Sequence, residues 1–108
     1  MKKKLETAYG VIGLGRFGEA LAMMLAKSGN EVIVVDKDEK KVKEMRQYTD
    51  CAFVTDDLSA DTLKEIGIQN CDVVIICIGE KVDVSVLTTM SVIELGVPRV
   101  IAKALSPE

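Results

Sequence analysis

The chain has 108 residues, 48% of them apolar, with 17 acidic against 14 basic side chains and a formal net charge of −3. That is enough for one domain with a real core but too short for a nucleotide domain plus a substrate domain, and the negative balance gives no electrostatic reason to expect a nucleic-acid partner. There is no histidine, the commonest general acid or base, and Cys51, Cys71 and Cys77 form no C-x-x-C pair, so zinc, disulfides and catalysis by this segment alone are not expected, while a reducing, cytoplasmic setting is.

Lys2-Lys3-Lys4 resembles the basic start of a signal peptide, but Glu6, Gly10 and Arg16 interrupt any apolar run behind it, so it reads as a solvated tail. Residues 9–14 carry no charge, as expected of a strand covered on both faces. Phe17, Ala20, Leu21, Met24 and Leu25 then recur at helical spacing on one face. Between strand and helix stands Val11-Ile12-Gly13-Leu14-Gly15-Arg16-Phe17-Gly18, a G-x-G-x-x-G turn. In this motif Gly13 permits the tight turn, Gly15 lets the backbone approach a pyrophosphate, and Gly18 lets the helix lie close on the sheet. The free N–H groups and positive dipole end of the helix face the anion.

Ser28-Gly29-Asn30 stops that helix, and a second strand, Glu31-Val32-Ile33-Val34-Val35, ends at Asp36. An acid about 20 residues past the glycine turn can accept hydrogen bonds from both ribose hydroxyls of an adenosine and repel a 2′-phosphate. NAD, ADP or ATP is therefore favoured over NADP. Asp36 can equally cap the helix after it, although Asp38 can serve there instead. The second helix is expected over 38–48, starting in the Lys37-Asp38-Glu39-Lys40 run, with Val42 and Met45 inward.

Cys51-Ala52-Phe53-Val54 reads as a short third strand, with Thr55-Asp56-Asp57 at its carboxyl end, the edge where ligands bind in open α/β sheets. Asp56 is a candidate acceptor for the exocyclic amino group of adenine, or a cap for the helix starting near Ser59. Leu63 and Ile66 mark that helix and Gly67 ends it. The run 72–78 is the most strand-like in the chain, expected at the sheet's centre and far shorter than the ~20 residues of a membrane span, so the chain should be soluble. Gly79-Glu80 follows, Gly79 either leaving room beside a ligand or serving as an ordinary loop glycine.

A fourth helix over 82–95 carries Val82, Val84, Val86, Leu87, Met90, Val92, Ile93 and Leu95, too wide an apolar distribution for one buried stripe. A second protein surface is expected to cover it, giving a dimer or larger assembly. Pro98 marks the last turn, and 99–102 makes a fifth strand. The order βαβαβαβαβ with right-handed crossovers predicts a Rossmann-like, doubly wound parallel α/β sheet ordered 3-2-1-4-5, with its switch point above the glycine turn.

These residues resemble the nucleotide-binding N-terminal lobe of the domains that regulate potassium conductance (RCK/KTN, or TrkA-N, domains) in Trk- and Ktr-type potassium-uptake regulatory subunits. The resemblance covers nearly the whole chain and rests on the turn in its Arg16-Phe17-Gly18 form, Val34-Val35-Asp36, Leu63 to Gly67 before Asp72, Ile76-Cys77-Ile78-Gly79, Leu87-Thr88-Thr89 and Ile101-Ala102-Lys103. It implies a non-catalytic sensor in which NAD(H), ADP or ATP binds at the strand ends, with no metal assigned, and biases a cytoplasmic ring docked on a membrane-embedded potassium channel subunit.

The cofactor-binding residues expected are Gly13, Gly15, Arg16, Phe17, Gly18, Asp36, Lys37, Asp56, Asp57, Gly79 and Lys103. By the resemblance Arg16 reaches the phosphates, which a guanidinium there can pair bidentately, the alternative being a plain surface arginine. Lys103 resembles a family lysine near the cleft, or is a solvated tail residue. The helix and strand that usually complete the lobe, and the second lobe that often follows it, have no counterpart in the sequence. The competing expectations are the cofactor half of an NAD-dependent oxidoreductase and a methyltransferase binding S-adenosylmethionine.

Overall fold

The computed structural model describes residues 7–79 and 82–103; the Lys2-Lys3-Lys4 tail, Glu80 and the segment after Lys103 lie outside them. The elements are β1 (Ala8–Ile12), α1 (Arg16–Lys27), β2 (Glu31–Asp36), α2 (Glu39–Met45), β3 (Ala52–Val54), α3 (Ala60–Ile66), a 3-10 turn (Ile68–Asn70), β4 (Val73–Ile76), α4 (Val82–Glu94) and β5 (Arg99–Ala102). The sheet is wholly parallel and ordered β3-β2-β1-β4-β5, as the crossover rule requires. β1 is the central strand, and β4, expected there, lies beside it.

Because side chains alternate along a strand, each face builds its own core. Val11, Val32, Val34 and Ile75 pack with Ala22 of α1 and with Val42 and Met45 of α2. On the opposite face Ile12, Val35, Val74 and Ile76 meet Leu63 of α3, Ile68, and Val92 of α4. Local signals set the helix ends. Asp38 caps α2 by accepting from the Lys40 and Lys41 N–H groups, Ser59 caps α3 by accepting from the Thr62 N–H, and Gly67 ends α3 in the left-handed conformation.

Two helix faces differ from the sequence pattern. On α1 the buried side runs through Gly18 and Ala22, with Leu21 and Leu25 only partly covered, whereas Phe17 and Met24 are exposed. The small residues win the sheet side because they let the helix axis approach the strands. On α4 the buried side is Ser85, Thr88 and Val92, and the large apolar residues point outward.

Gly18 is the tightest point of the fold. A Cβ built there would lie 2.0 Å from the Gly13 carbonyl oxygen and 3.3 Å from Cys77 Cβ. Gly13 itself has φ +104°, and its Cβ would lie 2.7 Å from the Cys77 carbonyl oxygen. Gly18→Ala therefore has to push α1 off the sheet. The expected outcome is loss of cooperative unfolding, or a melting temperature lowered by more than about 10 °C, equivalent to 2 kcal/mol or more in a domain of this size, read by far-UV circular dichroism; wild-type melting would refute the close approach.

Candidate functional site

The glycine turn, the ends of β2, β3 and β4, the first turn of α4, and Lys103 surround one cleft of about 610 Å³ at the carboxyl edge of the sheet. It lies where the chain leaves β1 to one side and β4 to the other, the switch point at which open α/β sheets take ligands. Its floor is buried Cys77 and the turn, and its walls carry Arg16, Lys37, Lys41 and Lys103 against Asp36, Asp38 and Asp56. Four cations against three anions make this edge positive in a chain whose net charge is −3.

The start of α1 faces this space without a side-chain cap. Gly15 is the N-cap residue, its carbonyl accepting the first helical bond from the Glu19 N–H at 2.9 Å. The N–H groups of the first turn are the orphan donors of a helix terminus, and here they border the cleft. A Cβ on Gly15 would meet no protein atom within 4 Å. This glycine therefore has no packing role, and the space above it is open.

Asp36 is half-buried at the end of β2 and bridges two segments. Its Oδ2 accepts from the Leu14 N–H in the glycine turn and its Oδ1 from the Asp38 N–H at 2.8 Å. With Asp38 as the cap of α2, the cap alternative for Asp36 is set aside. Each carboxylate oxygen accepts up to two bonds, so both keep a lone pair for a ligand hydroxyl.

Of the expected residues, Gly13, Gly15, Arg16, Phe17, Gly18, Asp36, Lys37, Asp56, Gly79 and Lys103 all line the cleft. Asp57 does not. Its carboxylate turns to the start of α3, accepting from the Ser59 N–H at 3.1 Å and from the Thr62 hydroxyl, and these bonds, the Thr62 one foremost, hold its pKa below the usual carboxylate range. The chain bends at Asp56 after β3, with the Asp57 N–H donating to the Thr55 hydroxyl at 3.0 Å, so Asp56 lines the cleft while Asp57 turns to α3.

Sequence reasoning missed Lys41, Thr55, Leu58 and Val84, which also line the cleft. Lys41 sat in a charge run indistinguishable from a solvated helix face. Lys103 is not merely a tail residue, since its N–H donates to the Ile76 carbonyl at 2.9 Å, extending the β5 pairing by one residue.

The fold is that of the Rossmann-like class of doubly wound parallel α/β domains. Among solved structures the chain is similar to the NAD(P)-binding domain of an exopolyphosphatase-related protein from Archaeoglobus fulgidus, at 20% identity and TM-score 0.77 over 94% of this chain and 76% of that one. It also resembles an imine reductase from Myxococcus stipitatus, at 19% identity and TM-score 0.68 over 91% of this chain and 32% of that one. The TrkA-N domain family matches residues 9–108, and the chain belongs to that family.

Among its relatives are the Ktr system potassium uptake protein C of Bacillus subtilis (strain 168), 41% identical over 96% of this chain and 45% of that protein. The Ktr system potassium uptake protein A of Vibrio alginolyticus is 40% identical over 89% of this chain and 44% of that protein. The chain thus spans less than half the length of these relatives. Among the described residues no helix is long and apolar enough to cross a membrane.

Burial pushes the Cys77 thiol up from its ordinary value of 9.0 to about 11, and the Lys103 ammonium offsets only part of this. The unfolded chain releases the proton near pH 9 and the folded chain near 11. Between these values the unfolded state binds fewer protons, so stability falls as pH rises through that window. With exposed Cys51 as the internal control, a disulfide reagent at pH 8 should label Cys51 quickly and Cys77 far more slowly until the chain unfolds. Equal labelling rates would contradict the burial.

Proposed function

We propose that this chain is the nucleotide-sensing unit of a potassium-uptake regulator. It binds an adenine nucleotide, NAD(H), ADP or ATP, without catalysis and passes the bound state to a membrane-embedded potassium channel subunit. The observation that carries this is the pairing, across one cleft, of an uncapped helix start with a carboxylate held at the end of the next strand. A nucleotide carries its phosphates and its ribose hydroxyls on adjoining groups, which call for these two kinds of partner side by side. Membership of the TrkA-N family and the likeness to potassium uptake proteins support the transport role.

In this reading the first-turn N–H groups of α1 and Arg16 take the phosphates, Gly15 and Gly79 leave them room, and Asp36 accepts from the ribose hydroxyls. Asp56 accepts from the adenine amino group, and Lys37 and Lys103 add positive charge. The unit corresponds to the N-terminal lobe of a longer regulator and works at the cytoplasmic membrane surface through its partner.

The outer side of α4 is the assembly surface. Leu87 is 64% exposed and Met90 60%, beside Val82, Val86 and Ile93, which are also exposed. A second copy covering this side gives a dimer or a larger ring. Nucleotides act by binding one arrangement of that assembly more tightly than another.

Calorimetric titration with ADP, ATP, NADH, NADPH and S-adenosylmethionine tests the site. Wild type should bind the first three, and Gly15→Ala should fold normally yet lose more than tenfold in affinity, its methyl group occupying phosphate space. Asp36→Ala should weaken ADP and NADH binding at least tenfold and narrow the margin against NADPH. It should also melt earlier, since the Leu14 and Asp38 N–H groups lose their acceptor, at a cost of about 1–3 kcal/mol. Binding of S-adenosylmethionine alone would sink the reading.

For the assembly, Leu87→Glu with Met90→Glu should reduce the sedimenting mass to the monomer's while leaving the melting temperature of the fold nearly unchanged. A wild-type chain that sediments as a monomer at high concentration would remove α4 as an interface.

A further inference from the structure

Phe17 is an aromatic ring left 50% exposed at the second position of α1. One face of it is nonetheless occupied, because Lys103 Nζ lies 5.5 Å from the ring centroid. The two residues come from opposite ends of the chain and meet only because the parallel order brings the end of β5 around to the glycine turn. Both line the cleft. The Lys103 N–H donates to the Ile76 carbonyl at 2.9 Å, so the root of its side chain is fixed to the sheet while its ammonium is held by the ring.

We propose that Phe17 is a positioning residue: its ring holds the Lys103 ammonium beside the start of α1, where the phosphates of a bound nucleotide arrive. The assignment rests on the nucleotide reading above and adds to it the residue that orients a phosphate-binding cation. Strand order gives the direction. The ribose acceptor Asp36 is on β2, the phosphate turn follows β1, Gly79 follows β4, and Lys103 follows β5. Lys103 is rooted two strands from β1, beyond β4, but its ammonium reaches back to the Phe17 ring at the start of α1, so a ligand lying from Asp36 toward the glycine turn brings its phosphates to both.

An aromatic partner suits this task better than a carboxylate. A free lysine carries a flexible four-carbon stem and loses rotamer freedom when it is fixed on a ligand, so holding it beforehand lowers that loss. A carboxylate would also hold it, but would cancel its charge and compete with the phosphate. The ring attracts the cation through its quadrupole, leaving the charge intact and the ammonium hydrogens on the side away from the ring free to donate.

The test is a double-mutant cycle read by calorimetry with ADP and with adenosine, using Phe17→Leu, Phe17→Tyr, Lys103→Met and the Phe17→Leu/Lys103→Met pair. All should melt near wild type, since both side chains are at the surface. Phe17→Leu is expected to weaken ADP binding roughly two- to fivefold, the size of an exposed cation–π contact. Phe17→Tyr should keep wild-type affinity, the double variant should bind ADP no more weakly than Lys103→Met alone, and adenosine should bind all of them alike.

Additive losses in the pair, or an equal loss for adenosine, would show that Phe17 does not act through Lys103 on phosphate and overturn the assignment. Unchanged ADP affinity in Phe17→Leu, with wild type binding well, overturns it while leaving the nucleotide reading standing. A wild-type chain that binds no ADP overturns both.

Discussion

The contact on which the rest depends is between two stretches of backbone. The Gly18 Cα rests so close to the Gly13 carbonyl that no β-carbon fits between them, and Gly13 in turn is pressed against the Cys77 carbonyl. This lets α1 settle onto the ends of β1 and β4 with Ala22, the next small residue on that side, buried against Val11. Once the helix is seated there, its start has only one direction in which to point. The donors that a side chain satisfies at the starts of α2 and α3 open into the cleft at the start of α1 instead. A good N-cap side chain in place of Gly15 would add only roughly a few tenths of a kcal/mol. The chain forgoes that stability at the one position where a side chain would stand in the site.

A second consequence concerns α4. Its inner side is small and polar, Ser85 and Thr88 with Val92, so the helix lies close to the sheet but contributes little of its own apolar surface to the core. Its large residues are left outside. The arrangement is poor for an isolated domain and sensible for one that is covered by another surface, since exposed apolar patches of this kind mark contacts. The same helix supplies Val84 to the cleft in its first turn, one turn before exposed Leu87. A rigid element therefore joins the wall of the candidate site to the candidate interface, which is what a sensor requires if occupancy at one is to be felt at the other.

The sequence carried the elements because each strand ran apolar and each break was marked by glycine, asparagine or aspartate. β5 and the end of α3 at Gly67 fell where the pattern put them. The inward side of α1 did not, because periodicity counts large apolar residues, whereas close packing here selected Gly18 and Ala22. Asp56 and Asp57 are chemically identical in sequence, and only the direction of the backbone after β3 separates the one that lines the cleft from the one that caps α3. Lys103 and Phe17 stand at opposite ends of the chain, and no local pattern announces that they meet.

In the proposed site, a preference against a 2′-phosphate would rest on hydrogen-bond chemistry more than on charge. Asp36 is accompanied at its end of the cleft by Asp38, but also by Lys37 and Lys41, so the field met by an arriving anion is nearly balanced there. Partly exposed pairs of this kind interact by only about 1 kcal/mol each. What remains is geometric. The Leu14 and Asp38 N–H groups fix both carboxylate oxygens, leaving lone pairs that need a donor. A ribose hydroxyl supplies one, whereas a phosphate monoester, mostly doubly ionised at neutral pH, has almost none to offer and would strip water from an acceptor without replacing the bond. In the proposed site, discrimination is therefore a matter of an acceptor held in place by the glycine turn itself, which ties ligand choice to the same backbone contact that seats the helix.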